Sequence, residues 1–370
     1  MSTNLPRERL LSLDTFRGAT IAGMILVNNS GDYANTWWPL LHQPWHGWTP
    51  TDLIFPFFLW MAGMSLVFSR RIGFRAALWR SAKLVLLGLL VNFTTGGFAP
   101  PLRWAGVLQR IGLCYLAAWA AKRWLGLRGQ AVLAAVLLVG YWAAMTHVVG
   151  PEGVAPGLEP ETNLSAQVDR LVLGGHLYRW TKTWDPEGVL STLPAIATAL
   201  LGLLTGEWLR SSRGPRPKVL GFVAGGVALF VLGILWGEAA PSWLLFPVNK
   251  NLWSPSFVLL TAGLAAAFFG LTWWLVDVRA LRAWTGPFVV YGGNAIAVYV
   301  GSELLSGAWS TIAWASAGGE VLSLQERLHQ AIFASWLPPT LAAFAFALAN
   351  VVLWWAVARG MARRGIYLKV

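Results

Sequence analysis

The sequence contains little cysteine and little charge. Cys114 is its single cysteine, which excludes an intrachain disulfide framework and any metal cluster built on several cysteines. Charged residues make up 12% of the 370 residues and apolar residues 56%, whereas ordinary soluble domains carry about 25% charged residues. A soluble globular protein of this length could not cover its surface with so few charges. The composition therefore excludes a soluble enzyme and favours a polytopic membrane protein.

Several familiar sequence motifs are also absent. The sequence has no HExxH motif or other dense spacing of metal ligands, and no Walker A, GxSxG or complete GxGxxG motif. We therefore expect no bound metal. The net charge is +12, but the basic residues are spread between apolar runs of membrane length rather than gathered into one patch. We therefore expect no nucleic-acid partner.

Long apolar runs dominate what is present. Each is close to the roughly 20 residues that a helix needs to cross a bilayer, and backbone groups in lipid must bond within their own segment. The predicted fold class is therefore all-α, a polytopic transmembrane helical bundle of about ten spans that forms a single domain over 1–370. The longest connection, at about 150–187, is expected to form a small cap. The predicted spans are 15–31, 53–69, 77–95, 104–122, 130–149, 188–208, 218–237, 254–276, 286–308 and 333–358.

The distribution of basic residues predicts the orientation. With the N-terminus placed in the cytoplasm, 21 of the 28 Lys and Arg residues fall on inner segments and 7 on outer segments. Short cytoplasmic loops are enriched in Lys and Arg, so we expect both termini to be cytoplasmic. The positive charge is then explained by topology, and it can also attract anionic membrane lipids or an anionic substrate to the inner face.

Polar residues inside the predicted spans are candidates for a functional site, because they are costly in lipid. Each one alone can equally be a satisfied hydrogen bond between helices. Arg110 is the strongest candidate, since its guanidinium cannot lose its charge and needs a carboxylate, a phosphate or a water-filled cavity. The others are Asn28, Asn29, Asn92, Gln109, Asn294, Ser302, Glu303 and Asn350.

Two histidines precede the second predicted span, in the stretch LLHQPWHGWTPTDL. An imidazole titrates near neutral pH and can take a proton from a nucleophile, so His42 and His46 are both candidates for a general base. Either can also be an ordinary surface residue. Asp52 can orient such a base, or it can cap the second helix together with Thr51.

These stretches resemble a known family. The runs LDTFRGATIAGMILVNN and LHQPWHGWTPTDLIFPFFLWMAGMS look like the heparan-α-glucosaminide N-acetyltransferase family and its bacterial relatives. The resemblance continues, in family order and over most of the chain, through RWAGVLQRIGLCY (103–115), DPEGVLSTLPAIATALLGLLTGEW (185–208), PVNKNLWSPSFVLLTAG (247–263) and GGNAIAVYV (292–300).

The resemblance implies an enzyme of the bacterial inner (plasma) membrane that moves acetyl from cytosolic acetyl-CoA to the amine of a glucosamine-like sugar on the extracytoplasmic side. The family's histidine pattern, His-x-x-Trp-x-Gly-x-Thr-x-x-Asp-Leu, selects His42 over His46 and includes Asp52. The family's asparagine matches Asn28. The stretch between this asparagine and the histidine is longer here than in the family, so Asn29 is an alternative for the same role. Since the chain begins at the first family span, we expect a free sugar or a small glycan as acceptor.

The mechanism implied by the resemblance suggests roles for the other candidate residues. The thioester arm must pass through a protein channel to reach His42. His42 would act on the amine, or would itself carry the acetyl group, while Asn28 would donate to the thioester oxygen. Inner basic residues would hold the CoA phosphates, unless they are only topology signals. The candidates for the acyl donor are Arg9, Arg17, Arg80, Lys83, Arg110, Arg282 and Asn294. The candidates for the sugar are Trp48, Asp185, Glu187 and Lys250.

Two other functions fit the same residues. An O-acyltransferase of envelope glycans would use the same base on a hydroxyl acceptor, and a sugar transporter would need buried polar groups but no acetyl-CoA. The sequence is also compatible with a homodimer.

Overall fold

The computed structural model describes residues 10–69, 72–96, 101–315 and 319–368. Within these ranges the chain is built almost entirely of helices. In chain order they are α1 (Leu11–Asn28), α2 (Ile54–Phe68), α3 (Phe74–Thr95), α4 (Val107–Trp124), α5 (Leu127–His147), α6 (Leu164–Leu173), α7 (Thr192–Arg210), α8 (Pro215–Ile234), α9 (Pro255–Trp273), α10 (Gly286–Gly293), α11 (Ala295–Thr311), α12 (Leu324–His329) and α13 (Pro339–Arg363).

The helices confirm the prediction of a polytopic, α-helical membrane protein. Each of the ten predicted spans overlaps one of these helices, or in one case a pair of them. Among the described residues, seven helices are long and apolar enough to cross a membrane, and the pair α10–α11 makes an eighth if it is counted as one span. Helices α1 and α4 are not among them, and both contain buried polar side chains. The count of ten spans therefore stays a prediction.

The bend between α10 and α11 is a difference from the sequence prediction. The sequence predicts one span over 286–308, whereas the structure has two helices at an angle of 80°. The break lies at Asn294, whose side chain donates to Ile366 O and accepts from Leu368 N. A Cβ atom at Gly292 would lie 2.1 Å from Asp14 O. These contacts bring the C-terminal segment next to the start of α1, so both described ends lie at one end of the bundle.

Helix α2, which directly follows Asp52, packs closely against α7. A Cβ atom at Gly63 would lie 1.8 Å from Ala199 O, and one at Gly202 would lie 1.9 Å from Trp60 O. Only glycine permits this approach. The core between these helices includes Leu59, Leu200 and Leu203, all fully buried. The helices thus form a rigid base for the segment before α2.

The segment 150–187, predicted to form a small cap, contains one short helix, α6. Asp169 on α6 accepts hydrogen bonds from Asp185 N and Val189 N, which ties the segment to the start of α7. A hairpin of two three-residue strands, β1 (Ala313–Ala315) and β2 (Val321–Ser323), pairs antiparallel before α12. This exposed hairpin is the one departure from an all-α fold among the described residues.

Candidate active site

A large cavity runs through the bundle beside α1. Its volume is about 1330 Å³. Asp14 and Arg17 line one end, and Asn28 and His42 line the other. Asp14 and Asn28 are 14 residues apart on one helix, and a helix rises about 1.5 Å per residue, so the cavity extends about 20 Å along α1. We call its two ends the Arg17 end and the His42 end.

His42 and Asp52 form a hydrogen-bonded pair at the His42 end. His42 Nδ1 lies 2.7 Å from Asp52 Oδ1. A carboxylate only accepts hydrogen bonds, so Nδ1 carries the proton and Nε2 keeps its lone pair. The His42 side chain is 52% accessible and lines the cavity, whereas Asp52 is fully buried. The arrangement presents Nε2 as a base whose orientation is fixed from behind.

Asp52 performs both roles that the sequence left open. Besides binding His42, its Oδ2 accepts from Thr49 N at 3.0 Å and from Gln43 N at 3.1 Å. Thr49 and Asp52 form a capping box at the 3₁₀ turn Pro50–Leu53 that precedes α2. The capping partner is therefore Thr49 and not Thr51, whose hydroxyl donates instead to Pro39 O.

Lys250 approaches the same pair from the loop before α9. Its Nζ lies 3.3 Å from Asp52 Oδ1, 2.9 Å from His42 Nδ1 and 3.4 Å from His42 Nε2. Burial lowers the pKa of His42 below its usual 6.5, and the charge of Lys250 lowers it further, against the opposing effect of Asp52. His42 is therefore neutral near pH 7, which is the state that a general base requires.

Asn28 binds a carboxylate across the cavity. Its Nδ2 donates to Glu303 Oε1 on α11 at 3.0 Å, and both side chains line the cavity. The Tyr33 hydroxyl donates to Asn28 O at 2.8 Å. Asn29 points elsewhere, since its Nδ2 donates to Ile25 O at 2.9 Å. Of the two asparagines, the geometry therefore brings Asn28 to the cavity.

Arg103 holds the two acidic residues of the DPEG stretch. Its Nε donates to Asp185 Oδ2 at 2.8 Å, its Nη2 bonds Glu187, and its guanidinium lies 4.4 Å from the ring centre of Tyr178. These acidic partners raise the pKa of Arg103 despite its burial. Glu187 lines the cavity, whereas Asp185 is buried behind it. The pair is therefore a charged wall of the cavity.

Two arginines, Arg17 and Arg80, line the cavity at the Arg17 end. Arg17 Nη1 lies 3.1 Å from Asp14 Oδ1 and 3.4 Å from Gly292 O. Arg80, on α3, also lines the cavity, and its guanidinium lies 4.7 Å from the ring centre of Tyr115. Its Nε has no hydrogen-bond partner among the described residues. Arg9, the other basic residue predicted here, lies outside the described residues.

Seven of the described candidate residues do not line the cavity: Trp48, Asp52, Lys83, Arg110, Asp185, Arg282 and Asn294. Arg110 is buried, donates to Gly188 O at 3.1 Å and lies 5.0 Å from the ring centre of Trp253. Asn294 bonds the backbone of the C-terminal segment, as described above. Trp48 packs on the core cluster around α2 and α7. Arg110, Asn294 and Trp48 thus lie behind the cavity wall, and their roles toward the acyl donor or the sugar stay predictions.

Some cavity residues had no assigned role in the sequence analysis. Arg103 anchors the acidic wall, Glu303 binds Asn28, and Tyr178, Trp180 and Trp184 come from the segment before α7. The aromatic run YRWTKTW at 178–184 was a usable signal, because aromatic rings in a polar loop often bind ligands. No group of three or more His, Cys, Asp or Glu side chains in the described ranges could hold a metal ion.

Comparisons with known proteins give one consistent result. The family model described as "Heparan-alpha-glucosaminide N-acetyltransferase, catalytic" matches residues 9–235. The human heparan-alpha-glucosaminide N-acetyltransferase is 31% identical over 361 residues, covering 80% of this chain and 53% of the human protein. The mouse protein of the same name is 30% identical, covering 80% of this chain and 54% of its own length. The chain thus spans about half the length of these relatives.

Proposed function

The chain belongs to the heparan-α-glucosaminide N-acetyltransferase family, and from this premise we propose that it transfers acetyl from acetyl-CoA to the amine of a glucosamine-like sugar. The observation that carries the proposal is the His42–Asp52 pair, with 2.7 Å between Nδ1 and Oδ1, at one end of a cavity that reaches Arg17 and Arg80 at the other. A base at one end and cations at the other suit a long, anionic acyl donor.

The donor would lie along the cavity. Arg80 and Arg17 would bind the phosphates of the CoA nucleotide at the Arg17 end, because guanidinium groups make strong charge-assisted hydrogen bonds to phosphate oxygens. The uncharged thioester arm would then extend along α1, where Ile21 and Met24 line the cavity. Its acetyl group would reach Asn28 and His42, about 20 Å away along the helix.

The chemistry follows from the His42 end. The sugar amine attacks the thioester carbonyl carbon while His42 Nε2 takes the proton that the nitrogen loses. The carbonyl oxygen becomes negative and accepts a hydrogen bond from the second Nδ2 hydrogen of Asn28. The C–S bond then breaks, and the proton from His42 neutralises the departing thiolate. Between turnovers Lys250 favours the neutral form of His42, and Asp52 orients the ring.

An acetyl-His42 intermediate is the alternative route to the same product. In that route His42 Nε2 attacks the thioester first, and the amine takes the acetyl group in a second step. The accessible, lone-pair-bearing Nε2 suits either route. Exchange of labelled CoA into acetyl-CoA in the absence of sugar would indicate the two-step route.

The two ends of the cavity also support a proposal for sidedness. The start of α1 and the C-terminal segment lie together at the Arg17 end. The positive charge of the inner segments favours a cytoplasmic location for these ends. The Arg17 end would therefore accept acetyl-CoA from the cytoplasm of a bacterial cell, and the His42 end would receive the sugar on the outer side of the inner membrane.

Purified protein tests the proposal directly. The protein is mixed with radiolabelled acetyl-CoA and either glucosamine or glucose, and labelled products are separated and counted. Acetylated glucosamine that is absent with His42→Ala supports the proposal. Acetylation of glucose hydroxyls instead would point to an O-acyltransferase. Sugar uptake into proteoliposomes without any acetyl-CoA would point to a transporter, and either result would overturn the proposed function.

A further inference from the structure

The carboxylates around the His42 end differ in how completely they are bonded. Asp52 accepts hydrogen bonds from His42, Gln43 and Thr49 and forms an ion pair with Lys250. Glu303 has one hydrogen-bond donor, Asn28, and within the described ranges no Lys, Arg or His nitrogen lies within 4.0 Å of it. It is therefore an acid on the cavity wall without a cation.

Such a carboxylate needs a cation or a proton. A buried or half-buried charge without a partner is costly, and the cost is larger inside a membrane protein. Glu303 is partly buried on α11, a helix of one of the candidate membrane spans. It keeps the lone pairs that Asn28 does not use, and it faces the cavity. A cationic ligand would remove this cost.

The charge around the His42 end supports the same conclusion. Three cationic side chains lie there, Arg103, Arg179 and Lys250. The four carboxylates in or directly behind the same wall are Asp52, Asp185, Glu187 and Glu303. Arg103 bonds Asp185 and Glu187, and Lys250 pairs with Asp52, so among the described residues Glu303 is the one of these four without a cation within 4.0 Å.

We infer that Glu303 is the ammonium-binding and specificity-determining residue for the acceptor. One carboxylate oxygen fixes the amide of Asn28, and the other receives the sugar ammonium beside the carbonyl that Asn28 polarises. The ammonium loses its first proton to solvent, and the resulting amine attacks from this position while His42 Nε2 takes the second proton and passes it to the departing thiolate. The product amide carries no charge, so Glu303 binds the amine substrate and releases the acetylated product. This inference rests on the proposed function and names the feature of the acceptor that the site selects.

Two substitutions separate charge from hydrogen bonding. Glu303→Gln removes the charge but keeps an oxygen that can accept from Asn28, whereas Glu303→Ala removes both. Hydrogen bonds to charged groups contribute enough that Glu303→Gln should raise KM for glucosamine about tenfold or more. KM for acetyl-CoA should change less than about twofold, because the donor does not contact Glu303. Glu303→Ala should also lower kcat, since Asn28 loses its orientation. Glu238→Gln removes an exposed acid outside the cavity and serves as the matched control.

Binding of three sugars by the full-length protein in lipid nanodiscs completes the test. Wild type should bind glucosamine more tightly than glucose or N-acetylglucosamine, and Glu303→Gln should bind all three about equally. An unchanged KM for glucosamine in Glu303→Gln, while wild type acetylates the sugar, would overturn the inference and leave the proposed function intact. Glu303-dependent binding of glucosamine without any acetylation would overturn the function and retain the ammonium site. Equal binding of glucosamine, glucose and N-acetylglucosamine by the wild-type protein would also overturn the inference.

Discussion

At the His42 end of the cavity most charged side chains bond one another, whereas at the Arg17 end Arg80 keeps an Nε without a partner among the described residues. Asp52 connects His42, Thr49 and Lys250, and Arg103 connects Asp185 and Glu187. Arg80 instead lies over the ring of Tyr115. The His42 end is thus held by ion pairs, whereas Arg80 lines the other end over an aromatic ring.

This difference matches the two tasks of an acyl transfer. Proton transfer and charge stabilisation need groups that are oriented before the substrate arrives. Binding of a charged tail needs donors that are still available when the tail arrives. The comparison therefore predicts that substitutions at the His42 end lower kcat, and that substitutions at the Arg17 end raise KM for the donor.

The largest effect is expected for His42. Removal of the imidazole in His42→Ala eliminates the proposed base, and a positioned base contributes about 10²–10⁴ to the rate. We expect acetylation of glucosamine to fall by that factor in a steady-state assay with labelled acetyl-CoA. His46→Ala is the control, because His46 lies outside the cavity lining and faces Asn249. Loss of turnover in His46→Ala with retention in His42→Ala would reverse the assignment of the base.

The second-largest effect on the rate is expected for Asn28. Without its amide, the developing negative charge on the thioester oxygen loses one hydrogen bond, which typically costs about 10²–10³ in kcat. Single-turnover measurements of Asn28→Ala should show this loss in the chemical step, with little change in KM for acetyl-CoA. Asn29→Ala, which removes a side chain bonded to Ile25 O, should stay close to wild type. Equal losses in both variants would mean that the effect is structural.

At the Arg17 end the expected change is in donor binding. Arg80→Gln removes a cation from the cavity wall, so KM for acetyl-CoA should rise about tenfold, the amount expected for a charge-assisted bond. The effect should disappear with acetyl-pantetheine, which lacks the nucleotide phosphates. Arg75→Gln, an exposed residue on the same helix, is the matched control. A larger effect on kcat than on KM would contradict the division between the two ends.

Apolar run length predicted the helices well, because spanning segments must satisfy their own backbone hydrogen bonds. The bend at Asn294 was not predictable in this way. It depends on contacts of Gly292 with Asp14 and of Asn294 with the C-terminal segment, which join positions far apart in sequence. The hairpin before α12 was missed because its strands are three residues long, too short for a clear periodicity.

For the site, sequence reasoning found the residues that lie within one local motif. His42 and Asp52 occur within eleven positions, and the resemblance to the family's motif, not the spacing alone, selected His42 over His46. Sequence reasoning did not find pairs that meet only through the fold, such as Asn28 with Glu303 or Arg103 with Asp185. Sequence reasoning also selected Arg110 as a site residue, because Arg110 is a charged residue within an apolar run. Its guanidinium is instead bonded to the start of α7.

The smallest effect, and the one that tests the electrostatics of the bonded end, is expected for Lys250. The acid limb of kcat/KM reports protonation of free His42, whose pKa lies below 6.5 through burial and the charge of Lys250. Removing that charge in Lys250→Met takes away a cause that lowers the pKa and leaves the opposing effect of Asp52. The acid limb should therefore move to higher pH. The rate should fall near pH 6 and change less than about threefold at pH 8, where His42 is neutral in both proteins.

Lys218→Met, on α8, controls for loss of a cation elsewhere, and Lys250→Arg should retain the wild-type acid limb. An acid limb that stays in place or moves to lower pH would mean that Lys250 does not set the protonation of His42, and that the bonded end is held by hydrogen bonds alone.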